Sequence, residues 1–398
     1  MALAVLITIF PGFSSLCRAA YTNGIYAEFN TSMGSYTCRL EYTIAPKACA
    51  NFIGLATGQR HWLDETTGLI KTNALYSGII FHRVASNFVI QSGSPTGLPD
   101  GGPGYVFVDE FSPSLRHDSF GILSMGNSGP DSNDSQWFIT VLPRPDLNDR
   151  YTAFGRLYGG SNVVYAINRV ATDANEKPLT NVTLNAITIR RVGASASLFD
   201  INAYSLPTVT NLNLKFNRTG TNASLTFSNR LYASTRLYDS LDLAYWTQTI
   251  LDIENVAGPV TNVTVGFDFP KQFFRAAQVQ YPSSTFSPRN LNNRTLTLTF
   301  TNGQTGTLVI SFNAAGGGTY TYNGSPGNVL GYDWFQRPYT CSLWPLVLDG
   351  AFNNDLTLKL NFDSNTVGSF SGFIYPGPYY YPYSPFLYPV AGSLTLSP

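Results

Sequence analysis

F-H-R-V-A-S-N-F-V-I-Q-S-G, residues Phe81 to Gly93, is the stretch on which the rest of the chain is read. It sets a guanidinium (Arg83), a carboxamide (Gln91) and two apolar side chains (Phe88, Val89) within nine residues. An apolar run from Leu75 leads in, broken at Ser77-Gly78, and a Gly/Pro-rich loop, Gly93 to Gly104, leads out. The alternation N-F-V-I-Q over 87–91 predicts a strand that is partly buried and partly lines a cleft. Arg83 and Gln91 are an even number of residues apart, so a strand course points them the same way, unless the loop Val84–Asn87 breaks the alternation. Taken alone, an arginine near aromatics is more often a surface residue with its stem packed down.

The stretch gains meaning from a second one. Gly121 to Phe138 reads G-I-L-S-M-G-N-S-G-P-D-S-N-D-S-Q-W-F. Together, in sequence and spacing, the two resemble the cyclophilin family of peptidyl-prolyl cis-trans isomerases, over about Ile25 to Val192. The resemblance implies an eight-stranded antiparallel barrel with two capping helices, and no cofactor or metal. It implies Arg83 and Gln91 as catalytic residues. It also implies a substrate site of Phe88, Val89, Gly126, Asn127, Ser128, Gln136, Phe138, Leu147 and Tyr151, with proline-containing polypeptides as partners. Several positions depart from the common pattern. Val89 stands for a usual Met, Gly126 and Ser128 for an Ala pair, and Trp137 for a Phe; Tyr151 falls where many members have His. Asp146 falls where drug-sensitive members carry Trp, which implies weak inhibition by cyclosporin.

Composition sets the bounds. At 398 residues the chain is too long for one ordinary core. Only 12% of residues are charged and the formal net charge is zero, so nucleic acid, which needs a basic face, is excluded as a partner. With 43% apolar residues, disorder is excluded too. Residues 1–20 read as a signal peptide. Ala2–Phe13 is apolar but short of the roughly 20 residues of a membrane span, and Ala19-Ala20 offers small residues for cleavage. No other segment is apolar enough to cross a bilayer, so the chain is expected to be exported: periplasmic, at the cell surface or secreted. An oxidising compartment permits a disulfide between Cys38, on an early strand, and Cys49, on the helix that follows; the other reading is two buried thiols.

Along the chain, Ile25–Tyr42 reads as a strand pair turning near Met33-Gly34. A helix starts at Pro46 and stops at Gly58, and a second begins at Ser161 as cap. Gln59–Ala74 is a long loop in which Trp62 packs, and Leu184–Val192 is the closing strand. The predicted organisation is an isomerase domain over 21–192, a linker over 193–207, a β-sandwich-like module over 208–285 and a second β module over 286–398. Strand pairs are read at Leu212–Phe216 with Ala223–Phe227, Leu296–Phe300 with Thr307–Phe312, and Thr357–Phe362 with Gly368–Phe373. The Tyr/Pro run Ile374–Pro389 reads as a rigid packing segment, with carbohydrate or cell-surface contact through the C-terminal modules as the other reading.

Other catalytic classes find no support. Only His61, His82 and His117 exist, and no G-x-S-x-G elbow occurs. His82 is expected to pack structurally. Asp131–Asp134 lacks the glycine of a calcium loop and, like Asp109-Glu110, reads as solvated. A binding protein that only grips proline segments is the rival reading to an enzyme.

Overall fold

The first two strands show why this sequence makes a sheet. β1 (Gly24–Thr31) and β2 (Gly34–Leu40) form a hairpin turning at Ser32-Met33, in register from Ile25↔Leu40 to Thr31↔Gly34. Ile25, Ala27, Phe29, Tyr36, Cys38 and Leu40 supply its buried face. The computed structural model describes residues 21–397 except 130, 221, 229, 231–232, 255–260, 267–270, 283–290, 337–340, 351–353, 363–366 and 377–387. The predicted signal peptide and the centre of the Tyr/Pro run lie outside the described residues.

Nine strands form the first sheet. The others are β5 (Ile79–Ile80), β6 (Arg83–Ala85), β7 (Val89–Ser92), β8 (Ile122–Met125), β9 (Trp137–Thr140), β10 (Ala153–Gly159) and β11 (Thr183–Val192). Their order is β5-β11-β1-β2-β10-β8-β9-β7-β6, antiparallel throughout. The sheet curls as a half-barrel, one strand richer than predicted, and α1 (Pro46–Thr57) and α2 (Ser161–Asn168) pack into its core. Phe52 and Ile53 of α1 and Val164 and Ile167 of α2 enter one core with Phe81, Trp137 and Phe154. α1 starts on Pro46 and stops at Gly58, whose φ of 72° suits glycine. Its first amides donate to a distant carboxylate: Lys47 N and Ala48 N reach Glu110 at 3.1 and 2.9 Å. Glu110 is therefore a helix cap and not a solvated acid. The cap of α2 is Gly160, in the left-handed region, and not Ser161.

Three further expectations are corrected. Cys38 and Cys49 are separate buried thiols. Cys38 is fixed in β2 opposite Ala27 and Leu157, while the Cys49 thiol donates to Phe154 O at 3.5 Å. Burial pushes both thiols up, away from the thiolate that disulfide chemistry requires. The Gln59–Ala74 loop holds a hairpin, β3 (Trp62–Asp64) with β4 (Leu69–Lys71). Residues 193–207 do not hang free: Ala196 of α3 (Ala194–Ser197), Phe199, Ile201 and Leu206 are buried in the first core.

Beyond it, two sheets follow. β12 (Thr208–Leu212), β18 (Phe273–Gln280), β15 (Ala233–Ser240) and β16 (Thr247–Glu254) make one, in that order. β13 (Lys215–Thr219), β14 (Asn222–Phe227) and β17 (Thr261–Gly266) make the other. Leu212 belongs to β12, so the predicted first strand splits and the hairpin is β13–β14. Leu63 and Tyr105 share a small core with Val209, Ala277 and Val279, and Arg275 Nη1 donates to Thr67 O at 2.9 Å. Arg236 pairs with Glu65 across the same contact.

The last unit is a closed barrel of eight strands: β19 (Thr295–Asn302), β20 (Gly306–Phe312), β21 (Gly318–Tyr322), β22 (Ser325–Gln336), β23 (Cys341–Gly350), β24 (Asn354–Phe362), β25 (Val367–Pro376) and β26 (Tyr388–Ser397). It closes through β19–β26, Leu296 lying opposite Leu396. Leu296, Leu298, Leu308, Ile310, Leu358 and Leu394 fill it, as the small diameter of eight strands requires.

Candidate active site

β6 and β7 are two strands and not one. The chain turns between them at Ser86–Phe88, with Asn87 at φ 55° and its amide donating to Asn168 Oδ1 at 3.0 Å. Asn168 Nδ2 donates back to Ala85 O and, at 3.4 Å, to Val89 O, so α2 staples the turn. The register pairs Arg83 directly with Gln91. Cross-strand partners share a face, which is why the two side chains meet despite the interrupted alternation.

Arg83 is half-buried and held on two sides. Its Nη1 donates to Gln91 Oε1 at 3.4 Å and its Nε to Glu176 Oε2 at 2.7 Å. Its Cζ lies 5.6 Å from the Phe88 ring centroid, in cation–π range. Gln91 Nε2 donates to Gln136 Oε1 at 3.0 Å. The Gln136 amide then donates to Pro99 O at 2.7 Å and Gly101 O at 3.0 Å. Gln136 is 6% exposed, yet its carboxamide oxygen and nitrogen are both engaged. The chain Arg83–Gln91–Gln136 is thus anchored in backbone. Close approach of the strands makes this reach work: a Cβ on Gly93 would lie 2.4 Å from Ser135 O.

Beside the polar chain lies an apolar group. Val89, Phe138 and Leu147 pack with Ala85, and Phe88 and Tyr151 are half-buried against them. Phe138 meets Tyr151 edge to face at 5.5 Å and stacks on His117 at 6.0 Å. His117 is buried, with Nδ1 3.1 Å from Asn148 Oδ1 and Nε2 2.9 Å from Ser124 Oγ; burial holds its pKa below the usual range. Gly126 N donates to Gln136 O at 2.8 Å, placing the 126–128 segment next to Gln136. Asn127 Nδ2 donates to Arg150 O at 2.9 Å, tying that segment to the residue before Tyr151; Ser128 is exposed. The Arg83–Gln91–Gln136 chain, the apolar group and Gly126–Asn127 are thus on neighbouring elements, while Ser128 has its amide on Ser132 Oγ.

Three contributors were not foreseen. Glu176 comes from a turn 93 residues from Arg83. Arg144 lays its guanidinium 3.8 Å from the Phe88 ring centroid and holds Asp146 through two hydrogen bonds, 2.8 and 2.6 Å. His117 backs Phe138. None has a local signature, because Glu176–Arg83, Arg144–Phe88 and His117–Phe138 each join segments distant in sequence. His82 is 4% exposed, as a packed residue should be, and its pKa falls to about 4. Burial is the main cause, the Arg83 cation adds to it and Gln136 opposes it. Asp134 is no solvated turn residue, since it accepts from Gln136 N at 2.6 Å. Among the described residues, no three His, Cys, Asp or Glu side chains converge as a metal site.

A fixed guanidinium beside an apolar group can receive a flat, uncharged ring against that group and donate to one of its atoms. Comparison with known proteins gives the same direction. The family model described as cyclophilin type peptidyl-prolyl cis-trans isomerase/CLD matches residues 26–189. Peptidyl-prolyl cis-trans isomerase B of Streptomyces anulatus is 43% identical over 168 residues, which are 42% of this chain and 96% of that protein. Peptidyl-prolyl cis-trans isomerase A of Mycobacterium tuberculosis is 43% identical over 165 residues, 41% of this chain and 91% of that protein. A crystal structure of a cyclophilin type peptidyl-prolyl cis-trans isomerase from Cryptosporidium parvum is 32% identical, with a TM-score of 0.38, covering 43% of this chain and 99% of that one.

Proposed function

The chain belongs to the cyclophilin-type peptidyl-prolyl cis-trans isomerases, and on that premise we propose that it rotates X-Pro bonds in exported proteins, with Arg83 as the catalytic donor. The barrier to be lowered is about 18–20 kcal/mol, the cost of lost amide conjugation. Uncatalysed, the rotation takes tens to hundreds of seconds. As the bond twists, the proline nitrogen regains its lone pair and becomes an acceptor. A cationic donor fixed beside it then binds the transition state more tightly than the ground state.

The observation that carries this reading is the guanidinium of Arg83, clasped by Gln91 and Glu176 and lying over the Phe88 ring, which packs against the apolar group of Val89, Phe138 and Leu147. In it, Phe88, Val89, Phe138, Leu147 and Tyr151 hold the proline ring. Gln91 steadies Arg83, and Gln136 steadies Gln91. Gly126, Asn127 and Ser128 offer their edge to the residue before proline. Each of these groups is set by backbone or by packing before substrate arrives, so little ordering remains to be done on binding. Support for the exported setting is the apolar Ala2–Phe13 with Ala19-Ala20. The modules over 208–398 serve in this reading to localise the isomerase or hold its clients.

The test is the isomerisation rate of an Ala-Pro peptide with wild type and Arg83→Ala. Loss of one such donor is worth about 3 kcal/mol, a fall of roughly 100-fold in kcat/KM. An unchanged rate would remove Arg83 from the mechanism. Peptide binding without turnover by the wild type would make the domain a proline-binding module.

A further inference from the structure

Between α2 and β11 the chain makes a tight turn organised by Asp173. Its Oδ1 accepts from Asn175 N at 2.8 Å and Lys177 N at 2.9 Å, its own amide donates to Lys177 O, and its carbonyl accepts from Glu176 N. The turn puts Glu176 at φ 61°, in the left-handed region where glycine is the unstrained residue. A glutamate therefore stands there against its backbone preference. Two contacts follow from its place, and both go to adjacent residues of β6. The Glu176 carbonyl accepts from Val84 N at 2.7 Å, and the carboxylate accepts from Arg83 Nε at 2.7 Å.

Stability does not account for the pair. The two side chains are 36% and 44% exposed, and ion pairs that wet contribute little to folding. Orientation does account for it. An arginine stem has many rotamers, and a single contact at the guanidinium leaves the plane free to swing. Gln91 alone would be such a contact, and at 3.4 Å a long one. A short charged bond to Nε from the opposite side fixes the plane, leaving Nη2 without a partner among the described residues.

We propose that Glu176 is a positioning residue for Arg83, setting the guanidinium plane so that its remaining N–H groups are presented to substrate beside Phe88 and the apolar group. This rests on the reading of Arg83 as the donor. The experiment compares wild type, Glu176→Gly, Glu176→Gln and Arg83→Ala in the full chain. Three quantities are read: kcat/KM on an Ala-Pro peptide, thermal midpoint, and the NMR resonance of Arg83 Nε–Hε with its exchange rate with water. Glu176→Gly relieves the backbone, so it should melt no earlier than wild type while losing about tenfold in kcat/KM. Its Nε–Hε signal should shift and exchange faster. Glu176→Gln, which keeps an acceptor at the same reach, should recover part of the rate; it carries the same readouts should the glycine variant fail to fold. Wild-type rates in both variants would overturn the proposal. So would a loss of rate with the Nε–Hε signal unmoved, which marks a merely structural role. Wild-type activity in Arg83→Ala would instead sink the donor reading itself, and is distinguished by that variant alone.

Discussion

The isomerase domain and the terminal barrel are both β structures, yet they bury different things. The barrel interior is apolar throughout its described residues, from Leu291 to Leu396, with Tyr320 sending its hydroxyl to Asp349 O. The isomerase domain buries Asn51, His82, His117, Asn133, Gln136 and Asn168 as well as its apolar core. Several of them hold a loop or another side chain in place, as Asn51 Nδ2 does for Asp134 O at 2.7 Å. Buried polar groups are costly unless fully paired, so they persist where position matters more than stability. Closure makes the same distinction. The barrel has no edges, whereas the first sheet ends at β6, and Arg83 stands on that edge. Chemistry sits where the sheet stops.

The comparison breaks most visibly if core damage in the barrel reaches the isomerase. Leu358→Ala, at a fully buried barrel position, should cost about 3 kcal/mol in the stability of that unit. It should leave kcat/KM on a short Ala-Pro peptide within about twofold. A parallel fall in rate would show that the barrel shapes the active site after all.

How far the sequence exposed this division depends on contact range. α1 was readable from Pro46 and Gly58, and the β19–β20 and β24–β25 hairpins from alternation around turn residues, because these signals are local. Barrel closure was not readable: it pairs Leu296 with Leu396, and alternation is the same in a sandwich and a barrel. Residues 193–207 looked like a linker because Ala196, Phe199, Ile201 and Leu206 follow no period, although all four are buried. In the site, the two motifs hold Arg83, Gln91 and Gln136, which the structure joins by hydrogen bonds, whereas Leu147 and Tyr151 lie outside both motifs and reach Phe138 through packing. Glu176 and Arg144 escaped, since a turn and a rim reach the site only through tertiary folding.

Gln136 sharpens the contrast next. Gln136→Met keeps the volume but strands Gln91 Nε2, Pro99 O and Gly101 O, which should cost about 2 kcal/mol in stability. A fall of about tenfold in kcat/KM should accompany it, through the loosened Gln91. The same loss in folding with an intact rate would show that Gln91 holds Arg83 without this support.

His82 gives the comparison a pH signature that an apolar interior cannot have. Its folded pKa of about 4 lies below the ordinary 6.5, so the unfolded chain binds the proton first as pH falls. The stability in question is fully present above about pH 6.5 and drains away toward pH 4. At about pH 5 the loss amounts to about 2 kcal/mol. His82→Gln cannot titrate there, so the stability gap between wild type and variant should shrink by that amount from about pH 8 to about pH 5. A gap that stays level across the range would mean that the imidazole is not held neutral.

The smallest effect lies at the rim. Asp146 is held by Arg144, which lowers its pKa, and Arg144 in turn lies over Phe88. An ion pair thus occupies the place where the drug-sensitive members that this chain resembles present a tryptophan donor. A cyclic peptide such as cyclosporin would find no indole N–H there and would have to disturb the pair. Weak inhibition of the wild type is therefore expected. Asp146→Trp should tighten it about tenfold, the worth of one hydrogen bond, while the isomerisation rate stays within about twofold. Nanomolar inhibition of the wild type would show that the rim contributes nothing to that recognition. The apolar group of Val89, Phe138 and Leu147 would then carry it alone.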